Sequence, residues 1–327
     1  NVFGVDLNPV AVELAEVSLW LNAIFKGAHV PWFGLQLFNG NSLVGCRRDV
    51  FTTAQLSPGK GETGKPERDW RAAVPSRLAC TNFRKAGQIW HFLLPADGMV
   101  SVTDKVVKAL EPKRFETIKA WRKAFLKPFE KDEIARAEAL AEGVESLWKQ
   151  HAEELERVRK ATADELHVWP DPAANRAPTT TKEKDAIYAR EMLSERVRNA
   201  SPYRRLKLVM DYWCALWFWP VTGAEDLPTR EEWWFDLETL ALGNANLAPA
   251  GIPTDFFPET IPQQTIDFTV ERDRYGHVNL DALLENNPRL KRAAAIAGTQ
   301  RFFHWELEFA DLFKTRGGFD LILGNPP

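Results

Sequence analysis

Residues 10–24 (VAVELAEVSLWLNAI) constrain the fold of this chain more than any other stretch. They are apolar on nearly every face, interrupted only by Glu13, Glu16, Ser18 and Asn22. A surface helix carries one apolar stripe, so a helix of this composition is expected to be buried against a sheet. The flanks agree. Val2-Phe3-Gly4-Val5-Asp6 is a short strand ending in a carboxylate, Asn8 is a good N-cap, and Pro9 suits the first helical position. Gly34 to Phe38 reads as a second strand that stops at the turn Asn39-Gly40-Asn41-Ser42. Strand, helix, strand, turn is half of a doubly wound α/β fold.

The other end mirrors this. Leu321-Ile322-Leu323 reads as a buried strand that halts on Gly324-Asn325-Pro326-Pro327. The tripeptide places one carboxamide and two rigid, donor-poor backbone units at the carboxyl end of a strand, where open α/β sheets keep their sites. Between the ends the character differs. Residues 52–77 are loop punctuation, Gln88 to Leu94 regains core character, and Ser101 to Leu166 is helical and charged, with breaks near Pro112 and Pro128. Ile134, Ala137, Leu140, Val144 and Leu147 form the seam of a helical hairpin or short coiled coil. A further helix is expected over Asp185 to Phe218, bent near Pro202. Three segments follow: 1–50, an insertion 51–300 forming a loop and helical arm, and 301–327.

At 327 residues and 45% apolar the chain can build one large core or two modest ones. A net charge of −3 excludes a globally basic polyanion binder, so any nucleic-acid surface must be local. Residues 101–127 hold eight Lys or Arg against three acids, and 190–207 hold six against two, Arg204, Arg205 and Lys207 among them. Such runs read either as a phosphate-tracking face or as a solvated helix surface. The aromatic cluster Tyr212-Trp213, Trp217-Phe218-Trp219 and Trp233-Trp234 reads as core before it reads as a base-stacking platform. Cys46, Cys80 and Cys214 are far apart and make no metal spacing, which points to a reducing cytoplasm and to no bound metal. No apolar run reaches the roughly 18 residues of a membrane span.

Four motifs line up with a known family. Val5-Asp6-Leu7-Asn8-Pro9-Val10-Ala11-Val12-Glu13-Leu14-Ala15, Gly40-Asn41-Ser42-Leu43-Val44-Gly45, Phe303-His304-Trp305-Glu306-Leu307-Glu308-Phe309 and Gly318 to Pro327 resemble the methylase domain of Eco57I-like, large adenine-specific DNA methyltransferases. These occur in restriction-modification proteins and in phage-defence systems such as BREX and DISARM. The close resemblance covers about the first 46 and the last 27 residues, and Ile89 to Pro95 is similar more weakly.

The resemblance implies a partial Rossmann-like class I methyltransferase sheet, its second, third and fourth strands, carrying a large, mainly α-helical insertion. It implies S-adenosylmethionine as cofactor and, as partner, double-stranded DNA with a flipped adenine. Asn325 and Pro326 would accept both amino hydrogens of the adenine, with Pro327 completing the motif. Asp6 would accept the ribose hydroxyls, or else serve only as a turn residue that helps cap the helix. Leu7 would touch the cofactor's adenine ring. Asn41 stands where relatives carry an Asp, and is either an adenine contact or a turn residue. The Gly-rich cofactor loop and the first strand would precede Asn1, and a base-stacking aromatic would follow Pro327, so the chain alone is expected to be inactive. Two alternatives stay open: an assembly module of a defence complex on a methylase scaffold, and a protein or RNA methyltransferase sharing Asn-Pro-Pro.

Overall fold

The computed structural model describes residues 2–24, 31–57, 69–79, 81–163, 179–194, 199–243 and 271–324. The first unit is the expected one. Strand β1 (Gly4–Asp6) pairs in parallel with β2 (Leu37–Asn39), Val5 opposite Phe38 and Asp6 opposite Asn39, and helix α1 (Pro9–Ala23) lies between them in sequence. The Asn8 side chain accepts from the Val10 amide and Pro9 opens the helix. The second strand starts at Leu37 rather than Gly34, because Phe33 to Gln36 close a turn in which the Gln36 amide donates to the Phe33 carbonyl.

Two segments read locally as buried are exposed at this end of the molecule. No residue of α1 is buried; Val10, Leu14 and Leu21 are 55%, 60% and 59% exposed. Two three-residue strands make a strip little wider than one strand spacing, about 5 Å, whereas a helix is about 10 Å across. Such a strip covers one face of α1 and leaves the rest to solvent. Leu321, Ile322 and Leu323 form no strand and are 73%, 70% and 85% exposed. A strand exists only beside a partner, and none of their backbone groups is hydrogen-bonded among the described residues.

The charged middle is a helical body. A small antiparallel sheet in the order β4 (Ser76–Arg77), β3 (Asp49–Thr52), β5 (Gln88–Trp90) leads into it, with α2 (Thr53–Leu56) following β3. The sequence did not announce this sheet, whose strands are two to four residues long. Gln88 to Leu94 is core as expected, with Ile89, Trp90, Phe92, Leu93 and Leu94 all at most 1% exposed. Helices α3 (Lys105–Leu110), α4 (Pro112–Phe125) and α5 (Lys131–Thr162) break where the prolines require. Then come α6 (Thr181–Tyr188), α7 (Pro202–Ala215), α8 (Arg230–Leu242), α9 (Leu280–Asn286), α10 (Pro288–Gln300), α11 (Trp305–Glu308) and α12 (Ala310–Arg316).

The 32-residue α5 is neither hairpin nor coiled-coil arm. It touches α6, α7, α8, α12 and β5, so its apolar positions meet several partners. Ala137, Leu140 and Val144 of the expected seam are buried, and Ala141, Trp148, Ala152 and Leu155 extend the buried surface. Five of the 13 tryptophans have a double role here. Trp70, Trp90, Trp148, Trp213 and Trp233 donate their indole N–H to the carbonyls of Pro95, Ala141, Glu306, Leu94 and Leu93. Each fills core volume and also ties down a carbonyl. One apolar core runs from Cys46 and Val50 through Trp148 and Leu206 to Phe303 and Phe309, across the boundaries at 50 and 300.

Candidate functional site

The carboxyl ends of β1 and β2 meet the segment after α10 in a dense polar network. Asn39 donates its side-chain amide to the carbonyls of Asp6 and Leu7 at 2.9 and 3.0 Å. Arg301 donates to the Leu7 carbonyl at 2.7 Å and to Asn39 Oδ1 at 2.8 Å. Arg301 ends α10 in the left-handed region, φ 53°, which turns the chain so that its carbonyl accepts from the Asn41 amide at 2.6 Å. Asn41 and Phe302 form a parallel bridge beside this contact. Neither Asn39 nor Arg301 stood out in the sequence, since their role depends on a contact made across more than 260 residues.

Asp6, Leu7 and Asn41 are brought to this edge. Asp6 is exposed, and its Oδ1 accepts from the Asn8 amide at 2.7 Å, so the turn role is realised. A carboxylate has lone pairs to spare, and Oδ2 has no hydrogen bond among the described residues. Leu7 is 54% exposed. Asn41 is also a turn residue, its Oδ1 accepting from the Leu43 amide at 3.1 Å. Asn325, Pro326 and Pro327 lie outside the described residues.

The motif Phe303 to Phe309 is the joint between this edge and the body. Phe38 meets Phe303 and Phe309 edge-on at 5.9 and 5.1 Å, and Phe3 meets Phe309 at 5.3 Å. Gly45 is required by this joint, since a Cβ there would stand 2.1 Å from the Phe303 carbonyl oxygen. His304, fully buried, accepts the Cys46 amide at Nδ1 (2.9 Å) and meets Asp211 through Nε2 (2.9 Å). Burial alone would raise the Asp211 carboxyl; the His304 hydrogen bond and the Lys207 charge outweigh it and hold the carboxyl below its usual range. Glu306 accepts from the Arg48 amide and pairs with Arg77, and burial pushes its carboxyl up. Asp211 and Glu306 therefore order this segment.

Glu308 has a further surrounding. With Tyr203, Lys207, Asp211 and Arg301 it lines a cavity of about 340 Å³, walled on one side by the small residues Ala293 and Ala297 of α10. Tyr203 donates to both Glu308 oxygens at 2.9 and 3.1 Å, and burial raises the Glu308 carboxyl and the Tyr203 phenol. Asp6, Leu7 and Asn41 do not line this cavity, although Asn39 and Arg301, which tie the edge together, do.

The basic trio is not an open face. Arg205 is buried, donates to the carbonyls of Asn199 and Ala241, and is pushed down by burial. Arg204 pairs with Asp281, and Lys207 with Asp211. Arg204 and Arg205 tie α7 to its neighbours, whereas the Lys207–Asp211 pair lies within α7. Tyr212, Trp233 and Trp234 are at most 1% exposed, so this part of the aromatic cluster is core. Among the described residues no helix is long and apolar enough to cross a membrane. Comparison with protein families, with curated proteins and with solved structures finds nothing that matches this chain.

Proposed function

We propose that this chain is the catalytic portion of a DNA adenine-N6 methyltransferase of class I type, acting in restriction-modification or phage defence, with S-adenosylmethionine as cofactor. One observation carries the reading: the parallel β1–α1–β2 unit sets the exposed Asp6 carboxylate at the carboxyl end of its strand, opposite Asn39 and next to the turn that leads to Asn41. Open α/β sheets bind ligands at that end. The residues fit such a cofactor. The Asp6 carboxylate keeps acceptor capacity for ribose hydroxyls after capping Asn8, the exposed Leu7 offers an apolar contact to a base, and Asn41 keeps a second lone pair on Oδ1. Bound there, S-adenosylmethionine supplies an electrophilic methyl group.

The chain's own part is to hold the acceptor amine. The adenine N6 lone pair is delocalised into the ring. The Asn325 carboxamide oxygen and the Pro326 carbonyl accept its two hydrogens and localise the pair, while Pro327 stiffens the backbone that carries them. Positioning of this kind supplies much of a transfer rate. The helical body joins the edge through Phe303 to Phe309 and orders it rather than reaching out as a DNA arm.

In the full-length protein, Asn325→Ala is expected to abolish methyl transfer to duplex DNA while cofactor binding persists. Asp6→Ala is expected to weaken cofactor binding. Unchanged methylation by Asn325→Ala would refute the assignment. RNA and protein acceptors, run in parallel, test the other chemistries that share Asn-Pro-Pro, and no transfer to any acceptor would favour the assembly role.

A further inference from the structure

Two cysteines and a histidine with no recognisable spacing in sequence converge in the core. Cys46 and Cys214, 168 residues apart, have their sulfurs 3.5 Å from each other. His304 completes a group in which the candidate ligand atoms all lie within 4.8 Å of one another. The three residues are 2%, 3% and 0% exposed. We infer that Cys46, Cys214 and His304 form a structural site for a divalent, thiol-seeking ion of the zinc class. In sequence the cysteines make no metal spacing; the grouping is made by tertiary contacts.

Three observations carry the inference. The first is distance. The sulfurs are far beyond the roughly 2.05 Å of a disulfide. Two thiolates bound tetrahedrally at about 2.3 Å from one zinc ion stand about 3.7 Å apart. The observed 3.5 Å lies close to that edge length.

The second is the state of the imidazole. The Cys46 backbone amide donates to Nδ1 at 2.9 Å, which makes Nδ1 the nitrogen with the lone pair. Nε2 therefore carries the proton and donates to Asp211 Oδ1 at 2.9 Å. A carboxylate on one nitrogen of a histidine, which leaves the lone pair on the other, is the arrangement that orients metal-binding histidines. Lys207 pairs with Asp211 in turn, at 3.2 Å.

The third is charge. In a buried site two thiolates neutralise one divalent ion, whereas a monovalent ion would leave a net negative charge without water. Binding releases two thiol protons and replaces the Cys46 amide contact at Nδ1 by a bond to the ion. The Cys46 thiol also donates to the Met210 carbonyl at 3.6 Å, a contact that ion binding would replace. An ion here would pin the end of the Gly40–Gly45 loop to α7 and to the residue before α11. This inference does not depend on the methyltransferase reading.

The test uses the whole chain, stripped with a chelator and fully reduced, with Cd²⁺ as the probe and Zn²⁺ as competitor. A saturable cadmium–thiolate absorption band at one ion per chain is expected, abolished by excess Zn²⁺. Cys46→Ser and Cys214→Ser should each abolish it, and Asp211→Asn should weaken affinity about 10–100-fold. Should a serine variant fail to fold, proton release on Zn²⁺ addition to the wild-type chain, two per ion, carries the test. No band from the folded, reduced chain would overturn the inference. So would a band that persists in the double serine variant, or the absence of proton release.

Discussion

Helix α1 is the more apolar of the pair α1 and α8, with two charged residues in 15 against five in 13, yet α8 is the one that is buried. Both are apolar on more than one face, and both are capped at the N-terminus by a side chain, Asn8 in one and Thr229 in the other. Yet α8 buries eight residues, with Trp233 and Trp234 at 0% exposure, while α1 buries none. The difference lies in their neighbours. Helix α8 packs against α5 and α7, whereas among the described residues α1 packs chiefly on the β1–β2 strip. Apolar composition states how much surface a helix can bury, and the layers around it decide how much it does bury.

The body also holds a densely bonded buried carboxylate. Asp236 on α8, 0% exposed, receives Tyr212 at 3.0 Å, Arg289 at 3.1 and 3.2 Å and Asn287 at 3.2 Å. Removing one member of a buried ion pair leaves the other charge uncompensated. Asp236→Ala is therefore expected to cost about 3–5 kcal/mol of unfolding free energy, the largest effect on this side of the comparison. Denaturant unfolding measures it, and a loss below about 1 kcal/mol would mean that the network carries little of the body's stability.

Acid separates the two regions next. Burial pushes His151 in the body from 6.5 down to about 4, and protonation would add a proton at Nδ1, which is buried without a partner. The folded state declines a proton that the unfolded chain accepts, so stability is full above the unfolded value of 6.5 and is lost as pH falls towards 4. For His151 alone the loss is at most about 3 kcal/mol. Strands β1 and β2 and helix α1 contain no histidine. Hydrogen exchange at pH 7 and pH 5 should show protection falling in α5, and equal losses in α1 would break the distinction.

The smallest effect belongs to α1. Leu14 is 60% exposed, and Leu14→Gln should change stability by less than about 0.5 kcal/mol. A loss of several kcal/mol would show that something covers this face in solution.

Much of the local structure was legible in the sequence. The Asn8-Pro9 start of α1, the breaks at Pro112 and Pro128 and the buried run from Ile89 to Leu94 follow from caps, ring geometry and apolar content, which act over a few residues. The candidate edge was half legible. Asp6, Leu7 and Asn41 were visible as a motif, but Asn39 and Arg301, which tie the edge together, were not. Leu321 to Leu323 show the converse: a sequence with strand character forms no strand where no neighbour accepts its hydrogen bonds.

The sequence by itself therefore determined where helices start and stop, which residues are apolar enough for a core, and the strand–helix–strand order at the N-terminal end. Only the tertiary structure decided that α1 is exposed and α8 buried, that Arg205 faces inward, and that Cys46, Cys214 and His304 meet. The reason is range. Caps and helix breaks are set by neighbours within a turn, whereas burial and convergence depend on contacts between residues hundreds of positions apart, and local spacing carries no record of those contacts.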